Sequence, residues 1–114
     1  MIGYRYLANC VRVVDGDTID CDVDLGFHAF VKIRFRLARI NAPELNSKDE
    51  GERFRAKRAA DVVSALVLNK QIEIVSYKTE KFGRFLAEVY FGSGEELLNL
   101  SDELIKGGLA EVYA

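Results

Sequence analysis

The sequence predicts an α+β fold in which five strands close an OB-type barrel, with one helix between strands three and four and a short helix near the C-terminus. Three observations support this prediction. Several segments alternate strictly between apolar and polar residues, as half-buried strands do. One long segment instead has apolar residues at helical spacing. The order of segments matches an OB-type barrel, a fold that presents one face to oligonucleotides or oligosaccharides.

Length and composition favour one domain over residues 1–114. The chain has 114 residues, 49% of them hydrophobic, which is enough to bury about two-thirds of the unfolded surface. We expect a cytoplasmic protein with no membrane partner, because no stretch approaches the roughly 20 apolar residues of a membrane span and no leader pattern follows Met1. The net charge is −2, so any attraction to nucleic acid must come from local clusters of cations.

The first two strands are predicted on either side of a tight turn. Residues 4–14 are largely apolar, and Asp15-Gly16-Asp17-Thr18 is a strong turn signal. The next strand, residues 19–25, alternates apolar residues with aspartates. Cys10 and Cys21 flank the turn, and we expect them to be buried, on opposite faces of the sheet and without a disulfide between them.

The third strand, residues 31–37, has apolar residues on one face and cations on the other. A turn centred on residues 26–28 would pair aspartates of the second strand with these cations and would place Thr18 opposite Arg36. Arg36 would then be the cation of this row without an acidic partner opposite, free to bind an anion. Pro43 should end the pairing and leave Glu44 on a loop fixed by the sheet.

Two cationic clusters stand out, namely Lys32, Arg34, Arg36 and Arg39, and then Lys78, Lys81 and Arg84. Each could contact phosphates, but a charge-balanced face in contact with solvent is an equally simple reading of either cluster.

The helix should begin at a capping box formed by Ser47 and Glu50 and end at Asn69-Lys70. Its cations are accompanied by acidic residues, so we expect them mainly to face solvent. Its core-facing positions at helical spacing are Phe54, Ala59, Val62, Val63, Leu66 and Val67. Two more strands follow, at residues 71–77 and 85–91, and Ser101 should begin a short helix that ends at Gly107-Gly108.

Charged residues gather where these elements meet. An acidic turn with a neutral amide oxygen suits a hard divalent cation. Two arginines can hold phosphate oxygens bidentately, and a remaining carboxylate can orient or deprotonate a water. The residues concerned are Asp15, Asp17, Arg36, Asn41, Glu44 and Arg84.

In this order the residues resemble the staphylococcal nuclease (thermonuclease-like) family, from about Val11 to Val112. The matching segments are Asp15-Gly16-Asp17-Thr18, Phe35-Arg36-Leu37, Ala42-Pro43-Glu44, Phe82-Gly83-Arg84 and Gly108-Leu109-Ala110. The resemblance implies that Asp17 is a calcium ligand, that Arg36 and Arg84 are catalytic and bind phosphate, and that Glu44 handles the attacking water. It also implies cleavage of single- and double-stranded DNA and RNA with 3′-phosphate products.

The sequence departs from the family pattern at the site. Asn41 stands where a second metal-binding aspartate is usual, and losing that charge should weaken metal binding roughly tenfold to a thousandfold. Lys81 and Tyr113 correspond to the neighbourhood where the family binds a terminal phosphate. Phe82 replaces a common tyrosine and removes a hydroxyl contact, so we expect an endonuclease rather than an exonuclease.

A further departure concerns assembly. Relatives commonly continue into another helix, and without it the apolar surface around Leu104 and Ile105 would need cover. We therefore expect a homodimer, with the alternative of a monomer whose residues 97–100 fold back over the same surface.

The expected function is a metal-dependent nuclease acting on DNA or RNA. Arg36, Glu44 and Arg84 favour an enzyme, because a binding module has no need of that charged trio. The alternative is a catalytically weak or inactive module that binds nucleic acid or protein on the same fold, which Asn41 and the acidic pI of about 5.4 favour. A purely structural domain is the third class.

Overall fold

A computed structural model describes residues 4–79, 85–92 and 96–113. Eight strands and two helices occur among these residues. They are β1 (Tyr4–Asp15), β2 (Thr18–Asp24), β3 (Phe30–Leu37), β4 (Ile40–Asn41), α1 (Glu50–Val67), β5 (Gln71–Thr79), β6 (Phe85–Phe91), β7 (Leu98–Asn99), α2 (Leu100–Lys106) and β8 (Glu111–Val112).

The five long strands close a barrel, as predicted. Their order in the sheet is β3-β2-β1-β5-β6. Closure comes from parallel pairing of β3 with β6, where the Cα of Phe35 pairs with that of Phe85 and Arg36 with Leu86. This pairing brings the C-terminal end of β3 next to the start of β6, so residues from distant parts of the sequence meet there.

The β2–β3 hairpin has the predicted register. Asp22 pairs with Lys32 and Asp20 with Arg34, and the neutral Thr18 lies opposite Arg36. The Arg34 guanidinium binds both carboxylate oxygens of Asp20, at 2.7 and 3.1 Å. The cations of β3 therefore lie opposite aspartates of β2, except Arg36.

The core lies inside the barrel and beneath α1. It includes large side chains from every long strand, such as Ile19, Leu37, Ile74 and Val89, all with 0% exposure. The helix contributes Ala56, Ala59, Val63 and Val67. The predicted position of Phe54 in this core is wrong, since 72% of its surface is exposed.

The predicted starts of both helices are also wrong. The N-cap of α1 is Asp49, whose carboxylate accepts a hydrogen bond from the Gly51 amide, and Ser47 lies in the preceding loop. The N-cap of α2 is Asn99. Ser101 is buried inside the helix and donates a hydrogen bond to the Ala38 carbonyl at 2.8 Å, so a tertiary contact accounts for a residue that resembled a cap.

The cysteines do not lie on opposite faces of the sheet. Cys10 and Cys21 pair directly across β1 and β2, because a register shift between Cys10 and Arg12 alters the alignment that the turn alone would impose. Both are buried and free. Their mutual hydrogen bond and burial raise the pKa of the Cys21 thiol.

The C-terminal segment was only partly anticipated. Strand β8 pairs with β4, an interaction between two-residue strands that has no signal in the local sequence. Leu104 has 1% exposure and Ile105 is half-buried, so the apolar surface on which the dimer expectation relied is covered within one chain. Among residues 4–79, 85–92 and 96–113, no helix is long and apolar enough to cross a bilayer.

Candidate functional site

A cleft of about 1070 Å³ opens at the C-terminal end of β3. Its lining includes residues from the β1–β2 turn, the loop after β4, the first turns of α1 and the C-terminal segment. Five of the predicted site residues line it together, namely Asp17, Arg36, Asn41, Glu44 and Tyr113. Lys81 and Arg84 lie outside the described residues, and the chain enters β6 immediately after Arg84, at Phe85.

The β1–β2 turn is held in place by close packing at Gly16. A Cβ atom there would lie 2.8 Å from the Ala59 Cβ and 2.9 Å from the Ala42 Cβ. Only glycine allows α1 and the loop after β4 to approach the turn this closely. The Asp17 carbonyl also accepts a hydrogen bond from the Leu37 amide at 2.8 Å. The turn is thereby fixed against β3, α1 and the loop that carries Glu44.

Asp17 organises the floor of the cleft. Its Oδ1 accepts a hydrogen bond from the Thr18 hydroxyl at 3.1 Å, and its Oδ2 accepts one from the Ala42 amide at 2.9 Å. The Asp17 amide in turn donates to the Asp15 carboxylate at 3.0 Å. Burial raises the pKa of Asp15 to about 6, with further upward contributions from the neighbouring Asp17 carboxylate. Among the described residues, the only cation that pairs with either of these two neighbouring carboxylates is Arg36, which lies 3.8 Å from Asp17.

Arg36 is the central cation of the cleft, and only 9% of it is exposed. Its guanidinium donates to the Asn41 side-chain oxygen and, at 3.4 Å, to the Leu37 carbonyl. An Asp17 carboxylate oxygen lies 3.8 Å from Nη2, so the predicted lack of an acidic neighbour holds only across the strand pair. The Tyr113 ring lies 5.3 Å from the guanidinium carbon, a cation–π distance.

Tyr113 reaches Arg36 because β8 pairs with β4. Asn41 is the Cα partner of Glu111, and Ile40 that of Val112. The Tyr113 amide donates to the Arg39 carbonyl at 2.7 Å. This pairing fixes Asn41 and Tyr113 on the two sides of one short ladder, both next to the Arg36 guanidinium.

Glu44 lies on the exposed rim of the cleft, in a loop anchored by Glu52 of α1. The Glu52 carboxylate accepts hydrogen bonds from the Glu44 amide and the Ser47 hydroxyl, both at 3.0 Å. These hydrogen bonds, led by the one from Glu44, lower the pKa of Glu52. On sequence alone, Glu52 is only one of the acidic residues that accompany the cations of the helix. Glu52 lies three residues after the N-cap. A glutamate at this position often accepts a hydrogen bond from the preceding backbone, so its sequence position could have indicated this role.

The side chains at the cleft floor offer oxygen ligands, which suit a hard cation, but their number is small. Two carboxylates and the Asn41 amide oxygen lie around the cleft floor, and each oxygen of Asp17 keeps a lone pair after its hydrogen bond. Within the described ranges, no group of three Asp, Glu, His or Cys side chains is placed to hold a metal. A cation here would therefore rely on Asp15, Asp17 and Asn41, with water completing its shell.

Comparison with known proteins agrees with this geometry. The profile of the family described as "Staphylococcal nuclease homologue" matches residues 34–114, which is more than half of the chain. The chain belongs to the staphylococcal nuclease family. The matched range includes Arg36, Asn41, Glu44 and Tyr113, whereas Asp15 and Asp17 precede it.

Individual relatives are similar over most of this chain. An uncharacterized endonuclease of Escherichia coli O157:H7 is 31% identical, over 90% of this chain and 58% of that protein. A micrococcal nuclease of Shigella flexneri is 32% identical, over 90% of this chain and 56% of that protein. An uncharacterized protein of Methanocaldococcus jannaschii is 26% identical, over 96% and 60%. The chain thus spans little more than half the length of these relatives.

Proposed function

We propose that this protein is a nuclease that hydrolyses phosphodiester bonds of DNA or RNA in the cleft at the end of β3. The observation that carries the proposal is Arg36, a cation with 9% exposure in a cleft that Asp15, Asp17 and Glu44 also line. Burying a guanidinium is costly unless it binds an anion or is well hydrogen-bonded. A phosphodiester is the anion that matches both this cation and the family.

Arg36 binds the scissile phosphate in this proposal. An arginine has five N–H donors, and the two described hydrogen bonds of Arg36 leave donors for phosphate oxygens. Charge on those oxygens grows as the bond breaks, so a fixed guanidinium stabilises the transition state more than the bound substrate. Arg84 supplies the second guanidinium. Lys81 and Tyr113 contact the phosphate or sugar next to the scissile bond.

Glu44 orients and deprotonates the attacking water. It lies on the rim, where water has access, and its loop is held by the hydrogen bonds to Glu52. A general base must reach both water and phosphate with little reorganisation, and this anchoring provides that constraint.

Asp17, Asn41 and Asp15 would hold a divalent cation, since all three offer oxygen ligands, and we propose Ca²⁺ because the family resemblance implies calcium. When bound, the cation would neutralise charge on the phosphate.

We propose endonuclease activity. The cleft is open, so a nucleic-acid strand can pass through it without a free end having to enter.

The test is cleavage of labelled single- and double-stranded DNA and RNA, with calcium, with magnesium and with a chelator. We expect cleavage with a divalent cation and none with the chelator. Glu44→Gln should lower the rate about a hundredfold or more. Arg34→Gln is a control for the loss of a charge outside the cleft, since Arg34 lies on the same strand as Arg36 but pairs with Asp20. Wild-type rates in Glu44→Gln, or no cleavage under any condition, would refute the proposal.

The second candidate function is a binding module with little or no catalysis. Asn41 favours it, because an amide replaces a charged ligand and hydrogen-bonds Arg36. Nucleic-acid binding that depends on Arg36, without cleavage at millimolar calcium, would support this alternative over the enzyme.

A further inference from the structure

An exposed aromatic residue on α1 has no place in the proposed cleavage mechanism. Phe54 is 72% exposed, although burying a phenylalanine usually stabilises a protein. At about 100° per residue, Phe54 lies roughly 200° around the helix from the buried Ala56, on the side away from the core. The fold therefore directs this ring outward, and its side chain is available to a ligand.

Phe54 belongs to a second groove of about 430 Å³. The groove combines apolar side chains, including Val62 and Ala65, with Lys57, Arg58 and Asp61. Lys57 forms an ion pair with Asp61 at 3.4 Å. Arg58 has no ion-pair partner in the described part of the chain. An aromatic face beside an uncompensated cation is the combination that binds a base and its phosphate.

The second groove adjoins the cleft across α1. Arg55, the residue after Phe54, lines the cleft. Its side chain is 63% exposed, and its nearest described carboxylate is that of Asp49 at 4.0 Å, which is a weak pair. Arg36, Arg55 and Arg58 therefore form a series of cations that leads from the cleft floor, over its rim, to the outer face of α1.

We propose that α1 carries an additional binding site for single-stranded nucleic acid, in which a base stacks on Phe54 and flanking phosphates contact Arg55 and Arg58. The proposal rests on the proposed function, because the bound strand is the one that passes through the cleft. A single strand is required, since a base paired in a duplex does not offer its face to a side chain. Stacking tolerates any base, so this site adds affinity and little sequence preference.

Binding is best measured without cleavage, in the Glu44→Gln background, by fluorescence anisotropy with two oligonucleotides of equal length. One is an ordinary single strand and the other carries abasic positions. Phe54→Ala should weaken binding of the ordinary strand about fivefold to a hundredfold and leave the abasic strand unchanged. Phe54→Tyr should restore binding. Phe30→Ala, which removes another exposed ring outside both cavities, should have no effect.

The phosphate contact has a separate signature. Arg58→Gln should weaken both oligonucleotides and should reduce the slope of log K against log salt by about 0.7. Equal affinities of wild type and Phe54→Ala for the ordinary strand would overturn the proposal. So would light scattering that shows a dimer of the wild type dissociated by Phe54→Ala, since the ring would then cover a second copy. If the wild type cleaves no substrate while binding still depends on Phe54, the nuclease is refuted and this binding site is retained.

Discussion

Arg36 and Arg39 are close in sequence, at the end of β3 and in the turn that follows, but their surroundings differ. Arg36 makes two hydrogen bonds among the described residues. Arg39 makes four, two of them to the Glu88 carboxylate at 2.7 and 2.9 Å and the others to Asp102 and Asn99. Of five guanidinium donors, Arg39 has used nearly all and Arg36 fewer than half.

Ligand-binding cations are often sought among the most exposed ones, but the exposure of these two arginines contradicts that rule. The Arg39 side chain is 44% exposed and that of Arg36 is 10% exposed, yet Arg36 is the better candidate. The number of unused donors that face a cleft indicates function more directly than exposure does. Arg39 instead connects the β3–β4 turn to β6 and α2, while its carbonyl holds Tyr113. Arg39 therefore stabilises the structure around the cleft, whereas Arg36 has donors left for a ligand in it.

The largest expected effect is on catalysis. Arg36→Ala should lower kcat/KM about a hundredfold or more, because a guanidinium that faces the developing negative charge is lost. Arg36→Lys should recover little, since an ammonium cannot bind phosphate bidentately. Steady-state cleavage assays measure both. Circular dichroism melts should show that both variants remain folded. If the Arg36→Ala variant kept the kcat/KM of the wild type, Arg36 would have no role in catalysis and would not differ from Arg39 in this respect.

A charge added beside Arg36 should change metal binding. Asn41→Asp should tighten calcium binding roughly tenfold to a thousandfold, because a carboxylate replaces an amide at about the same distance from the cation. Isothermal titration with calcium measures this without substrate. Lys32→Asn, a charge change away from the cleft, is a control for net charge. An unchanged calcium affinity would exclude Asn41 from the metal site.

At Arg39 the main effect should be on stability. Arg39→Gly removes the cation that pairs with the buried Glu88, leaves it only the hydrogen bond from Asn99, and should lower the free energy of unfolding by about 1–3 kcal/mol. Arg39→Ala should cost about 1 kcal/mol more, because residue 39 has a φ of 70°, which glycine adopts without strain. Urea denaturation ranks the two variants. Equal stabilities of the glycine and alanine variants would contradict the strained backbone.

The smallest expected effect is the pH dependence of that difference. Burial alone would raise the pKa of Glu88, but hydrogen bonds from Arg39 and Asn99 outweigh it and lower the pKa from its ordinary value of 4.5. A lowered pKa in the folded state adds stability above the unfolded value, and this stability is lost as the pH falls through the folded value. The Tm difference between wild type and Arg39→Gly should therefore be largest near neutral pH and shrink below pH 4.5. A difference that is constant from pH 7 to pH 3 would exclude this ion pair as its source.

Much of the fold was predictable because its signals are local. Alternation identified β2, β3 and β5, since one face of each must be buried, and apolar segments bounded by turn signals identified β1 and β6. The β2–β3 register followed from a short turn and from matching charges on adjacent strands, and the structure has the predicted partners Asp20 and Arg34. Five of the seven predicted site residues line one cleft. Their chemical roles stay predictions, as do those of Lys81 and Arg84, which lie outside the described residues.

The errors arise where contacts between distant residues compete with local preference. Phe54 has the spacing of a core residue, but the angle at which α1 packs on the barrel buries Ala56 instead. Ser101 resembles a cap, but the distant Ala38 carbonyl binds its hydroxyl. A register shift in β1, which the turn sequence does not reveal, brings the two cysteines together.

By itself, the sequence determined the five long strands, their order along the chain and the residue types that a phosphodiester requires, because these follow from side-chain period and chemistry. Only the tertiary structure decided which of two nearby arginines faces a ligand. The partners that separate Arg39 from Arg36 are Glu88, Asn99 and Asp102, which lie about half a chain away in sequence. A cation's function depends on which of its donors the folded chain has already used, and that is settled by packing between distant segments.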